Sequence, residues 1–336
     1  RYALYYGVIA VIMLGAPLSG GEFIYFQFYR MIISFIARIL KLGSFALLIP
    51  VLYLMIQHRY VPAPRVTPNI AVNEKLAFAR NTVPEKLDVL AVGSSMTLNN
   101  LNTEAVLDHY GKIAYLNAGA WGTGASEVRL LGSILAKKYH PKTVIVATNM
   151  MDFKKEENVL AEDSASIASY VNGSPTWFSY LRHWNAPYYL RQSESNKLRF
   201  TDPANYEYLG FDACGGATLV VPADRIDHGR FNAGPPKSEL MDEERYLAFT
   251  DFAKNMRAMN IDLVVLESAY RDGLRTKEND AQQAQHVERL RAMLVPLGHT
   301  LIDANERHWP DSLYVDGSHF GKAGSKEFTA WCLGRL

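Results

Sequence analysis

The chain has 336 residues, 49% of them hydrophobic and 21% charged, and 35 Lys and Arg against 34 Asp and Glu leave a formal net charge of +1. That balance, with no basic stripe interleaved with aromatics, excludes nucleic acid as the partner class. The two cysteines, Cys214 and Cys332, form neither a CxxC pair nor a Cys/His ligand spacing, so no metal or other cofactor is indicated, and the pair stands open between a bridge and two free thiols.

The first elements are apolar. Tyr2 to Gly21 carries no charge, and Leu42 to Gln57 is a second uncharged run after Lys41. Each approaches the ~17–25 residues that cross a bilayer core, so two transmembrane helices are expected. Residues 1–58 would then form a membrane anchor. The second run extends backwards through Met31 to Leu40 as a tilted helix with Arg38 and Lys41 on one face. A buried hairpin of a soluble core is the alternative reading. Arg30, Arg38 and Lys41 against the single Glu22 predict a cytoplasmic connection between the runs, and hence a domain on the extracytoplasmic side. The chain opens on Arg1 rather than Met, which leaves room for upstream residues.

Pro62, Pro64 and Pro68 predict an extended linker over 59–84. The catalytic domain is expected over 85–336. In it Leu87–Val92, Ile113–Leu116, Thr143–Ala147, Ile261–Leu266 and Thr300–Ile302 have the short, β-branched character of parallel strands buried on both faces. Helical spacing links Val128, Leu131, Ile134 and Leu135, then Phe249, Phe252, Met256 and Met259, then Val287, Leu290 and Leu294. Asp242 is placed to cap the second of these helices and Asn260 to end it. The alternation predicts an α/β fold, a three-layer α/β/α sandwich around a five-stranded parallel flavodoxin-like sheet of order 2-1-3-4-5. Its switch point falls between the first and third strands. From Asp152 to Met241 the alternation lapses, which predicts a subdomain or lid inserted at about 152–241. The insert's Trp177, Phe178, Tyr180, Trp184, Tyr188 and Tyr189 suit sugar stacking, a membrane interface or the insert's own core.

Four motifs follow predicted strands: Gly93-Ser94-Ser95, Asn117 to Gly122, Asn149, and Asp316 to His319. In an open parallel sheet, ligands bind outside the carboxyl ends of the strands. A serine hydroxyl needs a positioned base before it attacks, and His319 is the candidate. Asp316, three residues earlier, can fix the imidazole tautomer. Gly93 allows a sharp turn, while the Gly122 N–H and the Asn149 amide are donors suited to a tetrahedral oxyanion. Taken singly, these residues read as turn formers, an Asx turn and helix caps. Taken jointly, at one edge of one sheet, they read as a serine acyl-transfer site.

The pattern resembles the SGNH, or GDSL-like, hydrolases. Gly93-Ser94-Ser95, Asn117 to Gly122, Ala147-Thr148-Asn149 and Asp316 to His319 stand where that family carries its four blocks, over about 85–336 without the insert. The resemblance implies Ser95 as nucleophile, Asp316 and His319 as the rest of a triad, and Ser95, Gly122 and Asn149 as the oxyanion hole. Ser94 stands in place of the usual aspartate, Ala147 in place of a glycine, and Met150 where an aspartate commonly follows the asparagine. The first departure is shared by a membrane-tethered branch resembling alginate O-acetylation and teichoic-acid D-alanylation factors, which work beside membrane-bound O-acyltransferases.

The resemblance and the apolar start together imply a serine O-acyltransferase or acyl-esterase at a bacterial-type inner membrane. Its domain would lie on the periplasmic side, acting on a cell-envelope polysaccharide through an acyl-serine, with the bilayer and a membrane-bound O-acyltransferase as partners. A lipid esterase or thioesterase, and a non-catalytic assembly factor of an acyltransferase complex, are the alternatives.

Overall fold

The computed structural model of the protein describes residues 21–56, 58–82, 86–156, 160 and 163–336. The chain divides after His58 into two units.

In the first unit, helix α1 (Gly21–Ile56) runs 36 residues without a break. Phe35, Leu40, Leu42, Ile49, Met55 and Ile56 are exposed along it. Among the described residues no helix is long and apolar enough to cross a membrane. The second expected span is therefore not supported as such, and the first falls outside the described residues. Residues 2–20 of the first run and Gln57 of the second lie outside the described residues, and the second run shares one helix with Arg38 and Lys41. The predicted connection between the runs is helical too, because nothing between Glu22 and Lys41 interrupts the backbone bonds: that stretch holds no Gly or Pro.

The second unit is α/β. Its five strands are β1 (Val89–Ala91), β2 (Tyr115–Asn117), β3 (Thr143–Thr148), β4 (Asp262–Glu267) and β5 (Thr300–Asp303). They pair in parallel in the order β2-β1-β3-β4-β5, the order of a flavodoxin-like sheet. Successive side chains on a strand point to opposite faces, and each face is covered. Leu90, Val144, Val146, Leu263 and Val265 meet helices α2 (Ile70–Thr82), α5 (Ala125–Tyr139) and α9 (Glu243–Ala258). Val89, Ala91, Ile145, Ala147 and Leu266 meet α4 (Thr103–Tyr110) and α11 (Lys322–Leu333). The helix ends follow their capping chemistry. Asp242 accepts the Glu244 N–H at 2.9 Å to start α9, and Asn260 adopts φ 55° just past its end.

In the stretch 59–84, expected as a linker, the described residues 59–82 are packed rather than free. Pro62, Pro64 and Val66 are buried, and α2 lays Ala71, Val72, Leu76 and Ala79 into the main core. Apolar spacing in α2 competes successfully with the extended habit of the prolines before it. The insert contributes helices α6 (Ser164–Val171), α7 (Thr176–Arg182) and α8 (Ala186–Arg199), and Ile167, Tyr170 and Val171 of α6 join that core. Its aromatics divide: Tyr189 is buried, whereas Trp177 and Trp184 are exposed. Cys214 and Cys332 are both free thiols, Cys332 deep in the core.

One buried ion pair ties α5 to α9. Arg245 Nη1 lies 3.3 Å from Glu127 Oε2, with side-chain exposures of 5% and 1%. The same Glu127 oxygen accepts the Gly124 N–H at 2.9 Å and starts α5, and Arg245 donates to the Asp152 carbonyl at 3.2 Å. Removing one partner strands the other charge away from water. Glu127→Ala is expected to lower the free energy of unfolding by roughly 3–5 kcal/mol in urea titrations. Glu127→Leu combined with Arg245→Met should recover most of that loss; equal destabilisation in the double variant would contradict the assignment.

Candidate active site

Strand β1 ends in a turn that leads at once into helix α3 (Ser95–Asn100). At Gly93 the need is for space: a Cβ there would lie 2.0 Å from Thr97 Oγ1. Thr97 uses that hydroxyl to accept the Ala147 N–H at 3.0 Å and donate to the Ala147 carbonyl at 2.8 Å, locking α3 to β3. The two serines after Gly93 have separate tasks. Ser94 is buried as the N-cap; its Oγ accepts the Met96 N–H at 3.1 Å and donates to Asp152 Oδ2 at 2.8 Å. Ser95 is the sole residue from Val89 to Asn102 that is not buried.

Ser95 Oγ lies 2.8 Å from His319 Nε2, and His319 Nδ1 lies 2.7 Å from Asp316 Oδ2. A carboxylate beside Nδ1 keeps the proton on that nitrogen and leaves the Nε2 lone pair for the serine hydroxyl. The other Asp316 oxygen accepts the Ser318 and His319 N–H groups at 2.9 and 2.7 Å. Burial pushes the Asp316 pKa up. The positive charge that His319 carries when protonated, with the hydrogen bonds from its ring and the two amides, outweighs that push and holds the carboxyl below its ordinary value.

Backbone on both sides of His319 is held by one buried side chain. Asn100, at the end of α3, donates from Nδ2 to the Ser318 carbonyl at 3.1 Å and accepts the Phe320 N–H at 3.0 Å. Thr329 of α11 adds a donor to the Asn100 carbonyl at 3.1 Å and accepts the Asn102 N–H at 2.9 Å. The insert supports the same loop from the other side: Tyr206 donates to the Val315 carbonyl at 2.8 Å, and Gly317 donates to the Arg230 carbonyl at 3.0 Å. Gly317 is obligatory here, because a Cβ would come within 2.1 Å of the Ala233 carbonyl oxygen.

The oxyanion candidates come from three elements. Ser95 begins α3, a position whose N–H has no acceptor inside the helix. Gly122, at φ 70°, lies in an exposed turn stitched to the turn before Ser95, through Ala120 N–H to the Gly93 carbonyl at 2.9 Å and Thr123 Oγ1 to the same oxygen at 3.2 Å. The Gly122 N–H has no acceptor among the described residues. Asn117 serves this turn indirectly, donating to the Thr97 carbonyl at 2.8 Å and accepting the Gly119 N–H at 2.9 Å. Asn149 follows β3, buried; its Oδ1 accepts the Met151 N–H at 2.9 Å and its Nδ2 points to Met96 Sδ at 3.2 Å. Sulfur is a weak acceptor, so an oxyanion in that position would be the better partner.

Asp152 is the buried side chain beneath the site that motif reading misses. Ser94 occupies the place where the family resemblance expects aspartate, and the carboxylate arrives from the 3-10 turn Met150–Phe153 instead. Asp152 Oδ2 accepts from both Ser94 Oγ and Thr148 Oγ1 at 2.8 Å. Burial lifts its pKa to about 7 against the opposing pull of the two hydroxyls, with Glu267 adding to the rise and Arg245 reducing it. An acidic residue three positions past Asn149 was the available signal; Asn100 left one as well, as a polar residue in a six-residue helix lacking any other exposed side than Ser95.

No protein-family model matches the chain, and no curated protein matches its sequence.

A raised carboxyl pKa means that the folded protein holds a proton which the unfolded chain releases near pH 4. The stability this group contributes is complete below that pH and is lost as pH rises through about 7. Relative to Asp152→Asn, the wild-type free energy of unfolding should therefore fall between those limits, by an amount on the order of a few kcal/mol, and level off above them. Parallel slopes for the two proteins across that window would contradict a buried, protonated Asp152.

Proposed function

We propose that the protein is a serine acyl-transfer enzyme of the SGNH hydrolase type, an esterase or O-acyltransferase that works through an acyl-Ser95 intermediate on a cell-envelope polysaccharide. The observation that carries this is the unbroken relay from Ser95 Oγ to His319 at 2.8 Å and from His319 to Asp316 at 2.7 Å.

As Ser95 Oγ attacks the acyl carbonyl carbon, its proton passes to His319 Nε2, and Asp316 stabilises the imidazolium. The new oxyanion meets the N–H groups of Ser95 and Gly122 and the Asn149 amide. Collapse breaks the bond to the leaving alcohol, which takes the proton from His319. In the second half-reaction His319 deprotonates either water or a sugar hydroxyl, which attacks the acyl-serine, and Ser95 leaves with its proton restored. Hydrolysis and transfer thus differ only in the second nucleophile. The intact relay weighs against a purely non-catalytic assembly role.

For α1 the proposal is association with a membrane, supported by its exposed apolar side chains from Ile32 to Ile56. The extracytoplasmic location and a membrane-bound O-acyltransferase partner rest on the family resemblance. The same apolar helix favours a lipid esterase as second reading; fatty-acid release from vesicles, without acyl transfer to glycan, would select it.

Fluorophosphonate labelling tests the nucleophile. Ser95→Ala should abolish it, whereas Ser94→Ala should retain it at a reduced rate; the reverse pattern would move the nucleophile to Ser94. Asn149→Ala should lower kcat on p-nitrophenyl acetate about 10²–10³-fold with little change in KM. An unchanged kcat would remove Asn149 from the oxyanion hole.

A further inference from the structure

Away from the triad, the second unit carries a cavity of about 300 Å³ lined by residues 65–68, Asp163 and residues 182–185. Among the described residues its charge is one-sided: Arg65 and Arg182 share the lining with a single acid, Asp163. Among the described residues neither arginine has a carboxylate within ion-pair distance, although most other arginines of the unit do, Arg199, Arg225, Arg245, Arg271 and Arg289 among them. Each arginine is held by its place in the fold. The Arg65 guanidinium lies 5.2 Å above the Tyr188 ring and the Arg65 backbone N–H donates to the Tyr189 hydroxyl at 3.0 Å, while Arg182 is the last residue of α7. His183, next to Arg182, has its pKa lowered by burial and further by the positive fields of Arg182 and Arg65, against Asp163, so both cations act on the same space.

Two further features complete the lining. Asn185 caps the 14-residue helix α8, so the positive end of that helix opens here. Trp184 stacks on Tyr189 at 5.4 Å and 23°, yet remains 52% exposed. An indole beside two guanidinium groups that pair with no described carboxylate presents an apolar face next to planar cationic donors, the combination that suits a sugar ring bearing a carboxylate or a phosphate.

We propose that this cavity binds a saccharide carrying an anionic group, with the carboxylate or phosphate on Arg65 and Arg182 and the ring against Trp184. The site goes beyond the acyl-transfer reading and does not require it, because binding can be read in a protein whose Ser95 is replaced. It does have a route to the triad's neighbourhood. Residues 65–68 continue directly into Asn69, whose Nδ2 donates to the carbonyls of Trp121 and Gly122 at 2.9 and 3.2 Å. One segment thus lines the cavity and buttresses the turn that carries the oxyanion glycine.

Calorimetric titration of the full Ser95→Ala chain with glucose 1-phosphate, glucuronate and glucose, at constant ionic strength, tests the proposal. At least one charged sugar should bind about tenfold or more tightly than glucose, and the tighter of the two identifies the anion. Arg65→Gln with Arg182→Gln should lose about tenfold of that affinity, while Arg129→Gln, a surface charge elsewhere, should lose none. Thermal unfolding midpoints close to the parent protein certify that the variants fold, and the single Arg182→Gln, at an exposed position, serves if the pair does not. Glucose binding as tightly as the charged sugars, no binding of any of the three, or undiminished affinity without the arginines would each overturn it.

Discussion

The structure of the site depends on the clamp that Asn100 places on the peptide groups either side of His319. Ser95 and His319 are separated by 224 residues, and the connection from β5 back to the β1 end is irregular. An imidazole on such a segment would sample many positions, and a proton relay tolerates few. Asn100 removes that freedom from within the helix that begins with Ser95, so Ser95 and His319 are positioned by opposite ends of one short element. Behind it, Phe320 and Phe328 stack at 5.2 Å and Trp309 packs edge-on to Phe320, a buried aromatic wedge that fixes where the loop re-enters the fold.

Two carboxylates near the same turn are driven in opposite directions by what surrounds them. Asp316 is buried, but it receives a histidine and two backbone N–H groups, and charged partners favour the ionised form. Asp152 is buried too, with two neutral hydroxyls on one oxygen and Glu267 nearby, and desolvation dominates. The first therefore suits the stabilisation of an imidazolium. The second suits a structural hydrogen-bond hub beneath Ser94 and leaves Ser95 undisturbed.

The insert belongs to this scheme rather than standing apart from it. Its helix α6 enters the main core, residues 182–185 at the junction of α7 and α8 line the cationic cavity, and its later segment clamps the Asp316 loop through Arg230, Ala233 and Tyr206. The prolines of 59–69 extend the chain along the same body and end at Asn69, which supports Gly122. Residues with the weakest secondary-structure signal thus do much of the positioning.

Local chemistry made the parallel sheet, its strand order, the capped helix from Asp242 to Asn260 and the four strand-end motifs legible. Apolar alternation, capping and turn residues act within a few positions of chain, and a doubly wound sheet gathers its strand ends at one edge. Long-range contacts decided what periodicity does not encode. They placed Asp152 beneath the first motif and packed the proline-rich stretch against the core. They also turned Asn100 into the support for a histidine in a distant loop. Each of these depends on which buried polar atom finds its partner across the fold, and such pairing is settled only when the core closes and water is no longer the competing partner.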